Sequence, residues 1–319
     1  MTSYKNGTPW LDTDGNSIQA HGGYIINHDG YYYWYGENRT DKNYVSCYRS
    51  KDLMNWEFRN NILTQDSKTE EYRVRTKLYL TNEKGGKVNI ERPKVLYNEK
   101  TKKFVMWAHF ENGIDYHCAA VCVASCDTPD GDFVYHGTFK PYGEDSRDCT
   151  LFLDDDGRAY FISASRDNAD THVYRLSSDF MNLDKFCGNF WQGEYREAPA
   201  VFKRNGEYYM LNSWCSGWAP NQGKYSRSFE IADNWRDLEK FGNEDTFVSQ
   251  PAFVLPVEKD GKTEYLYFGD RWCYKSLALG VSVNDDTIDY YTKSSYVVLK
   301  IQFDKDENPY IEWNDEFTI

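Results

Sequence analysis

A short apolar run that begins with a polar or charged residue occurs five times along the chain. Each run is followed by a turn marked by Gly or Lys and then by an aromatic-rich segment. The five pairs are residues 19–26 with 31–36, 91–97 with 104–110, 148–153 with 159–164, 197–203 with 207–214, and 250–256 with 265–272. Short segments rich in Tyr, Val, Phe and Trp and bounded by Gly, Asn and Asp are typical of β-strands.

A third extended segment follows each pair, at residues 44–49, 117–125, 171–176, 223–229 and 278–283. Self-similarity at roughly 50 to 70 residues indicates a radial array in which each unit is a small antiparallel sheet. The sequence therefore predicts an all-β, five-bladed β-propeller in a single domain, residues 1–319. Residues 296–313 predict two more strands that close or brace the ring, and residues 51–56 and 231–238 predict short helical turns.

The residue that opens each repeated run is a candidate for the centre of the ring, because the first strand of a propeller blade lines the central channel. The residues in this position are Gln19, Glu91, Asp148, Glu197 and Gln250. Ionised carboxylates are rarely buried unless they are paired or functional. The pattern therefore predicts several carboxylates that meet in one pocket.

Carboxylates that converge on a narrow channel raise one another's pKa, which keeps a Glu protonated near neutral pH. Such a group is the general acid that glycoside hydrolysis requires, together with a nucleophile or a base that activates water. The alternative is that these side chains bind water or an ion that plugs the channel.

Charge and cysteine content narrow the function further. The formal net charge of −13 argues against a nucleic-acid partner, which would need a basic face. The chain has no run of 18 apolar residues and its first residues have no apolar signal core, so we expect no membrane span. The protein would be cytoplasmic if this chain is complete, and secreted or periplasmic if a leader has been removed.

The eight Cys residues lack paired CxxC spacing, so they indicate neither a disulfide scaffold nor a zinc site. No metal or cofactor is expected.

A second group of residues suits the binding of a sugar. Trp214, Ser216 and Trp218 lie in a Gly- and Pro-marked loop directly after a predicted strand, where a flat ring can stack on a sugar face or simply pack the loop. His21, followed by two glycines, is expected to face the channel, where it contacts either a sugar or Glu91, or water. Two further candidates for sugar binding are Tyr116 and Asn168.

Several motifs together resemble glycoside hydrolase family 43, whose members are five-bladed propellers. The resemblance extends from about residue 15 to residue 272. Its motifs are Glu91-Arg92-Pro93-Lys94-Val95, Ser146-Arg147-Asp148-Cys149-Thr150, Arg196-Glu197-Ala198-Pro199 and Ser249-Gln250-Pro251-Ala252-Phe253. Residues 14–23 and 32–37 are similar to the branch of exo-β-1,3-galactanases.

The resemblance implies a role for each central residue. Glu197 would be the general acid, Asp148 would orient it and adjust its pKa, and Glu91 would bind the hydroxyls of the terminal sugar. Most of the family carries a catalytic base Asp on the first inner strand, whereas this chain has Gln19-Ala20-His21 there, a departure that the galactanase branch shares. The identity of the catalytic base is thus open. Gln250 could position the attacking water, Glu91 could take the proton from that water, or the water could attack with little assistance from a base.

The sequence leads to the hypothesis of an exo-acting, inverting hydrolase that releases terminal galactose from β-1,3-galactan of the arabinogalactan type. Its partner would be that polysaccharide, and no protein partner is indicated. Two alternatives stay open. An α-L-arabinofuranosidase or β-xylosidase would share Glu197 and Asp148, and a propeller lectin would bind galactosides without cleaving them.

Overall fold

The structure is a computed structural model that describes residues 3–73, 76–272 and 294–319. Its strands form five four-stranded antiparallel sheets and one two-stranded sheet. In chain order they are β1 Tyr4–Lys5; β2 His21–His28, β3 Tyr31–Glu37, β4 Asn43–Ser50 and β5 Glu57–Thr64; β6 Asn89–Asn98, β7 Lys103–Glu111, β8 Ala120–Cys126 and β9 Val134–Phe139; β10 Cys149–Leu153, β11 Ala159–Ser165, β12 Asp170–Leu176 and β13 Leu183–Phe190; β14 Arg196–Arg204, β15 Glu207–Trp214, β16 Gly223–Ser228 and β17 Glu239–Phe241; β18 Gln250–Lys259, β19 Lys262–Arg271, β20 Ser295–Phe303 and β21 Pro309–Tyr310; and β22 Glu316–Phe317.

Each four-stranded sheet is one blade, with its strands in sequence order from the axis outward. The first strands β2, β6, β10, β14 and β18 lie beside one another around the axis. The predicted five-bladed, all-β propeller is therefore confirmed. The fourth strands β5, β9, β13 and β17 were not predicted, since several of them are half-exposed or only a few residues long and lack the apolar pattern of the inner strands.

The carboxyl-terminal strands belong to the fifth blade. Residues 296–313, expected to close or brace the ring, contribute β20 and β21, the third and fourth strands of that blade. The third strand predicted at residues 278–283 lies outside the described residues. The two ends of the chain meet where β1 pairs with β22, Tyr4 opposite Phe317 and Lys5 opposite Glu316, so the chain ends protect each other's strand edges.

The described residues contain almost no helix. Pro141–Gly143 forms a 3-10 turn. Of the two predicted helical turns, residues 51–56 are mostly bends, and residues 231–238 begin with a single hydrogen-bonded turn and continue as an irregular segment. No helix in the described ranges is long and apolar enough to cross a bilayer.

Aromatic side chains fill the wedges between blades. Trp34 of the first blade packs edge-on against Tyr296 and Phe268 of the fifth, with ring centroids 4.9 and 6.1 Å apart. Trp107 of the second blade lies 5.0 Å from Phe161 of the third. Such contacts bury a large apolar area per side chain, so the blades are joined mainly by ring packing.

Four of the inner strands have a register shift close to their first residues. The register shifts after His21 in β2, after Glu91 in β6, after Glu197 in β14 and after Pro251 in β18. Two residues inside these bulges, Arg92 and Ala198, take a positive φ of 52°. Bulges re-aim side chains and concentrate next to functional sites, where local strain is held in place by surrounding structure.

Asn6 joins the amino-terminal segment to the last blade. Its side-chain amide donates to the carbonyl oxygens of Val298 and Asn314, both at 2.9 Å, and its Oδ1 accepts from the Val298 amide at 2.8 Å. Asn6 is buried, so the backbone groups that it satisfies have little access to water.

We expect Asn6→Ala to lower the free energy of unfolding by about 2 kcal/mol, because it leaves buried Val298 backbone groups without partners. Urea unfolding followed by Trp fluorescence measures this. The control is Asn55→Ala, which removes an exposed amide bonded to Asp52 and should leave the midpoint nearly unchanged. Equal midpoints for the two variants would contradict a stabilising role for the contact between chain ends.

Candidate active site

A cavity of about 260 Å³ opens where the inner strands begin. The four catalytic candidates line it, together with Tyr116, Asn168 and Trp218 from the predicted sugar-binding set. The sequence did not single out its other lining residues, which are Glu37, Arg92, His109, Arg147, Cys215, Gly217 and Trp272. Residues from all five blades thus meet at one pocket. The repeat pattern predicted the residues of four blades correctly, whereas the first blade contributes Glu37 instead of Gln19.

Glu197 lies on β14 just before the bulge, with each carboxylate oxygen next to a side-chain amide. Oε1 accepts from Gln250 Nε2 at 2.9 Å, and Oε2 lies 3.5 Å from Asn168 Nδ2. Burial, and after it the negative charge of Asp148, raises the pKa of Glu197 to about 8, although Arg92 opposes the shift. Glu197 is therefore protonated at neutral pH, as a general acid must be.

Arg92 is the central cation of the pocket and is almost fully buried. Its Nε lies 3.1 Å from Asp148 Oδ2, its Nη1 donates to the Pro251 carbonyl at 2.8 Å, and its Nη2 donates to Gln250 Oε1. One guanidinium thus connects the second, third and fifth blades. In the sequence, Arg92 is recognisable only as part of the motif Glu91-Arg92-Pro93-Lys94-Val95, which assigns it no function. Its position beside Glu91 at the start of an inner strand is the feature that could have identified it as a pocket residue.

The side chain of Gln250 is held at both ends. Its Oε1 accepts from Arg92 and from the Trp272 indole N–H at 2.7 Å, and its Nε2 donates to Glu197 and to Ser213 Oγ at 3.0 Å. Arg and Trp can only donate, which fixes the orientation of the amide. Gln250 therefore directs its NH₂ group towards Glu197 and Ser213.

Glu91 has the opposite environment to Glu197. Arg39 and Tyr116 Oη, the latter at 2.6 Å, donate to its Oε1, and His109 Nδ1 lies 3.1 Å from its Oε2. Burial raises the pKa of Glu91, but the charge of Arg39 and the contacts with His109 and Tyr116 outweigh burial and hold the pKa below its usual range. Glu91 is thus an ionised acceptor of hydrogen bonds.

Four predicted residues do not line the cavity. His21 is buried beneath it, with Nδ1 3.4 Å from Asp270 Oδ1 and its ring stacked on Tyr296. Gln19 precedes β2, and its backbone amide donates to Tyr48 Oη. Ser216 Oγ donates to the Ala219 carbonyl within its own loop. Trp214 is half-exposed beside the pocket.

The chain matches the model of glycosyl hydrolases family 43 over residues 19–243. Among solved structures it is similar to an exo-beta-1,3-galactanase from Clostridium thermocellum, with 42% identity and a TM-score of 0.86, covering 98% of this chain and 66% of that one. It is also similar to an exo-beta-1,3-galactanase from Phanerochaete chrysosporium crystallised with beta-1,3-galactotriose, with 32% identity and a TM-score of 0.82, covering 100% of this chain and 68% of that one.

The chain belongs to glycosyl hydrolases family 43. A beta-D-galactofuranosidase from Aspergillus niger is 24% identical over 213 residues, which are 63% of this chain and 58% of that protein. The chain thus spans less than two thirds of the length of this relative and of the Clostridium protein.

Family members are glycoside hydrolases, and the pocket holds the acidic groups that such chemistry needs. Atoms of Glu91, His109 and Asp148 that could ligate a metal lie within 4.8 Å of one another. Arg39 contacts Glu91, and Arg92 contacts Asp148. Because these guanidinium groups already neutralise both carboxylates, the donor set fits an ion-pair network better than a cation site.

The pKa of Glu197 should depend on Asp148. We expect Asp148→Asn to lower that pKa by about one unit, since the variant removes a negative charge and leaves Arg92 without its carboxylate partner. An NMR titration of protein labelled with ¹³C at Glu side-chain carboxyls measures this, and Glu197→Gln assigns the signal. Asp156→Asn, in the exposed turn of the same blade, is the matched control. An unchanged or higher pKa in Asp148→Asn would contradict the charge coupling.

Proposed function

We propose that the protein is an exo-acting glycoside hydrolase that releases terminal galactose from β-1,3-galactan with inversion. The observation that carries this proposal is Glu197, which lines the pocket and accepts a hydrogen bond from Gln250, in an environment that raises its pKa. The galactanase relatives, one of them crystallised with β-1,3-galactotriose, support the choice of substrate.

Glu197 is the general acid in this proposal. Its proton goes to the glycosidic oxygen as the bond to the leaving galactan breaks. Gln250 donates to Oε1 at 2.9 Å, whereas Asn168 donates to Oε2 at the longer distance of 3.5 Å, so Oε2 is the better placed of the two oxygens to carry the acid proton. The charges of Asp148 and Arg92 act on the pKa of Glu197 in opposite directions, and so affect how readily Glu197 gives up this proton.

The attacking water needs a partner across the sugar ring from Glu197. Gln250 is our first candidate to position it, and doing so would require exchanging one of its present partners for the water. Glu91 is the second candidate, but a carboxylate with a lowered pKa is a weak base. The same environment makes Glu91 well suited to accept hydrogen bonds from hydroxyls of the terminal sugar.

Exo action is supported by the size and floor of the pocket. About 260 Å³ is at the small end for ligand pockets, which suits one terminal sugar. Arg92 and Trp272 both donate to Gln250 Oε1 at the pocket lining, so a polymer would have to displace these side chains to pass between them. Trp218 lies 5.2 Å from Trp272 and presents a ring to the pocket.

If the proposal holds, the protein releases galactose from β-1,3-galactobiose, and Glu197→Gln is about 10²- to 10⁴-fold slower, because removal of a general acid costs that much. Chromatography of the products measures both rates. Glu194→Gln, a nearby exposed carboxylate paired with Lys224, is the control and should keep wild-type activity. Intact disaccharide with the wild-type protein, combined with measurable binding, would instead favour a lectin.

We expect a substrate panel to rank β-1,3-galactan above arabinoxylan, nitrophenyl α-L-arabinofuranoside and nitrophenyl β-xyloside. The panel includes a β-galactofuranoside, since one relative is a galactofuranosidase. Initial rates of sugar release at equal concentrations give the ranking. Arabinose, xylose or galactofuranose-derived product as the fastest release would overturn the choice of substrate while leaving the roles of Glu197 and Asp148 intact.

A further inference from the structure

His109 lies between two carboxylates behind the sugar pocket. Its Nδ1 is 3.1 Å from Glu91 Oε2, and its Nε2 is 3.0 Å from Glu111 Oε1. The strand register explains the arrangement: His109 on β7 is directly opposite Glu91 on β6, and Glu111 follows two residues later on the same face. His109 and Glu111 are both almost fully buried.

The two carboxylates beside His109 bear on how many protons its imidazole ring carries. An ionised carboxylate only accepts hydrogen bonds, and a neutral imidazole has one N–H. Nε2 is hydrogen-bonded to Glu111, and Nδ1 lies at ion-pair distance from Glu91, so a proton on each ring nitrogen suits both carboxylates. Glu111 Oε2 also accepts from the Ala119 amide at 3.0 Å, which fixes the orientation of the carboxyl group beside His109.

We propose that His109 is a positioning residue, held as an imidazolium between Glu111 and Glu91, that keeps Glu91 an ionised acceptor for the sugar. This inference rests on the proposed function, in which Glu91 contacts the terminal galactose. Glu111 never reaches the substrate and acts through His109.

Other charged groups face the same site. Arg39 contacts both Glu91 and Glu37, the Asp148 carboxylate lies within 4.8 Å of the Glu91 and His109 ligand atoms, and Tyr116 donates to Glu91. Burial lowers the pKa of His109, but Glu111 and Glu91 outweigh burial and raise it to about 9. Its charge is therefore present at neutral pH and is lost as the pH rises through that value.

The charge of His109 should affect sugar binding by Glu91 at acidic rather than alkaline pH. A carboxylate that binds a hydroxyl does so above its own pKa and loses this ability as the pH falls through that pKa. With His109 charged, Glu91 stays ionised far into the acid range. Without that charge, Arg39 and Tyr116 still oppose the effect of burial but less completely, and the pKa of Glu91 rises.

The charge of His109 can be read directly by NMR of ¹⁵N-labelled imidazoles in the ligand-free wild-type protein, with His109→Gln to assign the signals. We expect both ring nitrogens to be protonated at pH 7, and Glu111→Gln to lower the pKa of His109 by at least about one unit. His117→Gln, at an exposed position, is the control for assignment. A neutral imidazole at pH 7 in the wild-type protein would overturn the proposal.

The effect on the sugar is measured by calorimetric binding of β-1,3-galactobiose in a Glu197→Gln background, which removes cleavage and the titration of Glu197. Binding should vary little between about pH 8 and pH 5.5 in this background. Adding His109→Gln should leave binding similar at pH 8 but weaken it several-fold by pH 5.5, because a growing share of Glu91 is then protonated before the sugar binds. Adding His117→Gln instead should change neither value.

The outcomes separate the two proposals. A pH-independent affinity in the double variant with His109→Gln would contradict the positioning role, and so would a uniform loss at every pH. Absence of binding in the Glu197→Gln background at any pH would contradict the proposed function, while the NMR experiment would still decide the charge of His109.

Discussion

The buried guanidinium of Arg92 is the interaction on which the site depends. It comes from an inner strand of the second blade, forms an ion pair with Asp148 of the third and hydrogen bonds with Gln250 and the Pro251 carbonyl of the fifth. A buried cation is tolerable only when its partners are in place, so this contact also requires that the blades be in register. The bulge at Arg92, with its positive φ, directs the side chain into this position.

The same arrangement gives two carboxylates of one pocket opposite properties. Glu197 is surrounded by amides, a thiol and the charge of Asp148, and its pKa is raised. Glu91 is surrounded by Arg39, His109 and Tyr116, and its pKa is lowered. Environments that separate the pKa values of neighbouring groups are how one site provides a proton donor and an ionised acceptor at the same pH.

The repeat pattern was informative because each blade places its first strand at the axis. It therefore predicted five blades, and it predicted that Glu91, Asp148, Glu197 and Gln250 share one cavity, which all four line. The Gly- and Pro-marked loop after β15 also indicated Trp218. The pattern did not predict the fourth strands, because a half-exposed edge strand such as β13 has no clear alternation of apolar and polar residues.

The sequence by itself determined the fold, since the periodicity of apolar runs is a local property, and the same periodicity placed Glu91, Asp148 and Glu197 at the starts of those runs. Only the resemblance to the family indicated Glu197 as the acid among these three. Tertiary structure alone decided the partners. Arg92, His109, Glu111 and Trp272 act through contacts between strands or blades, and His21 turned away from the pocket towards Asp270. A proton affinity depends on burial and on charges a few ångströms away, and those neighbours are distant in sequence.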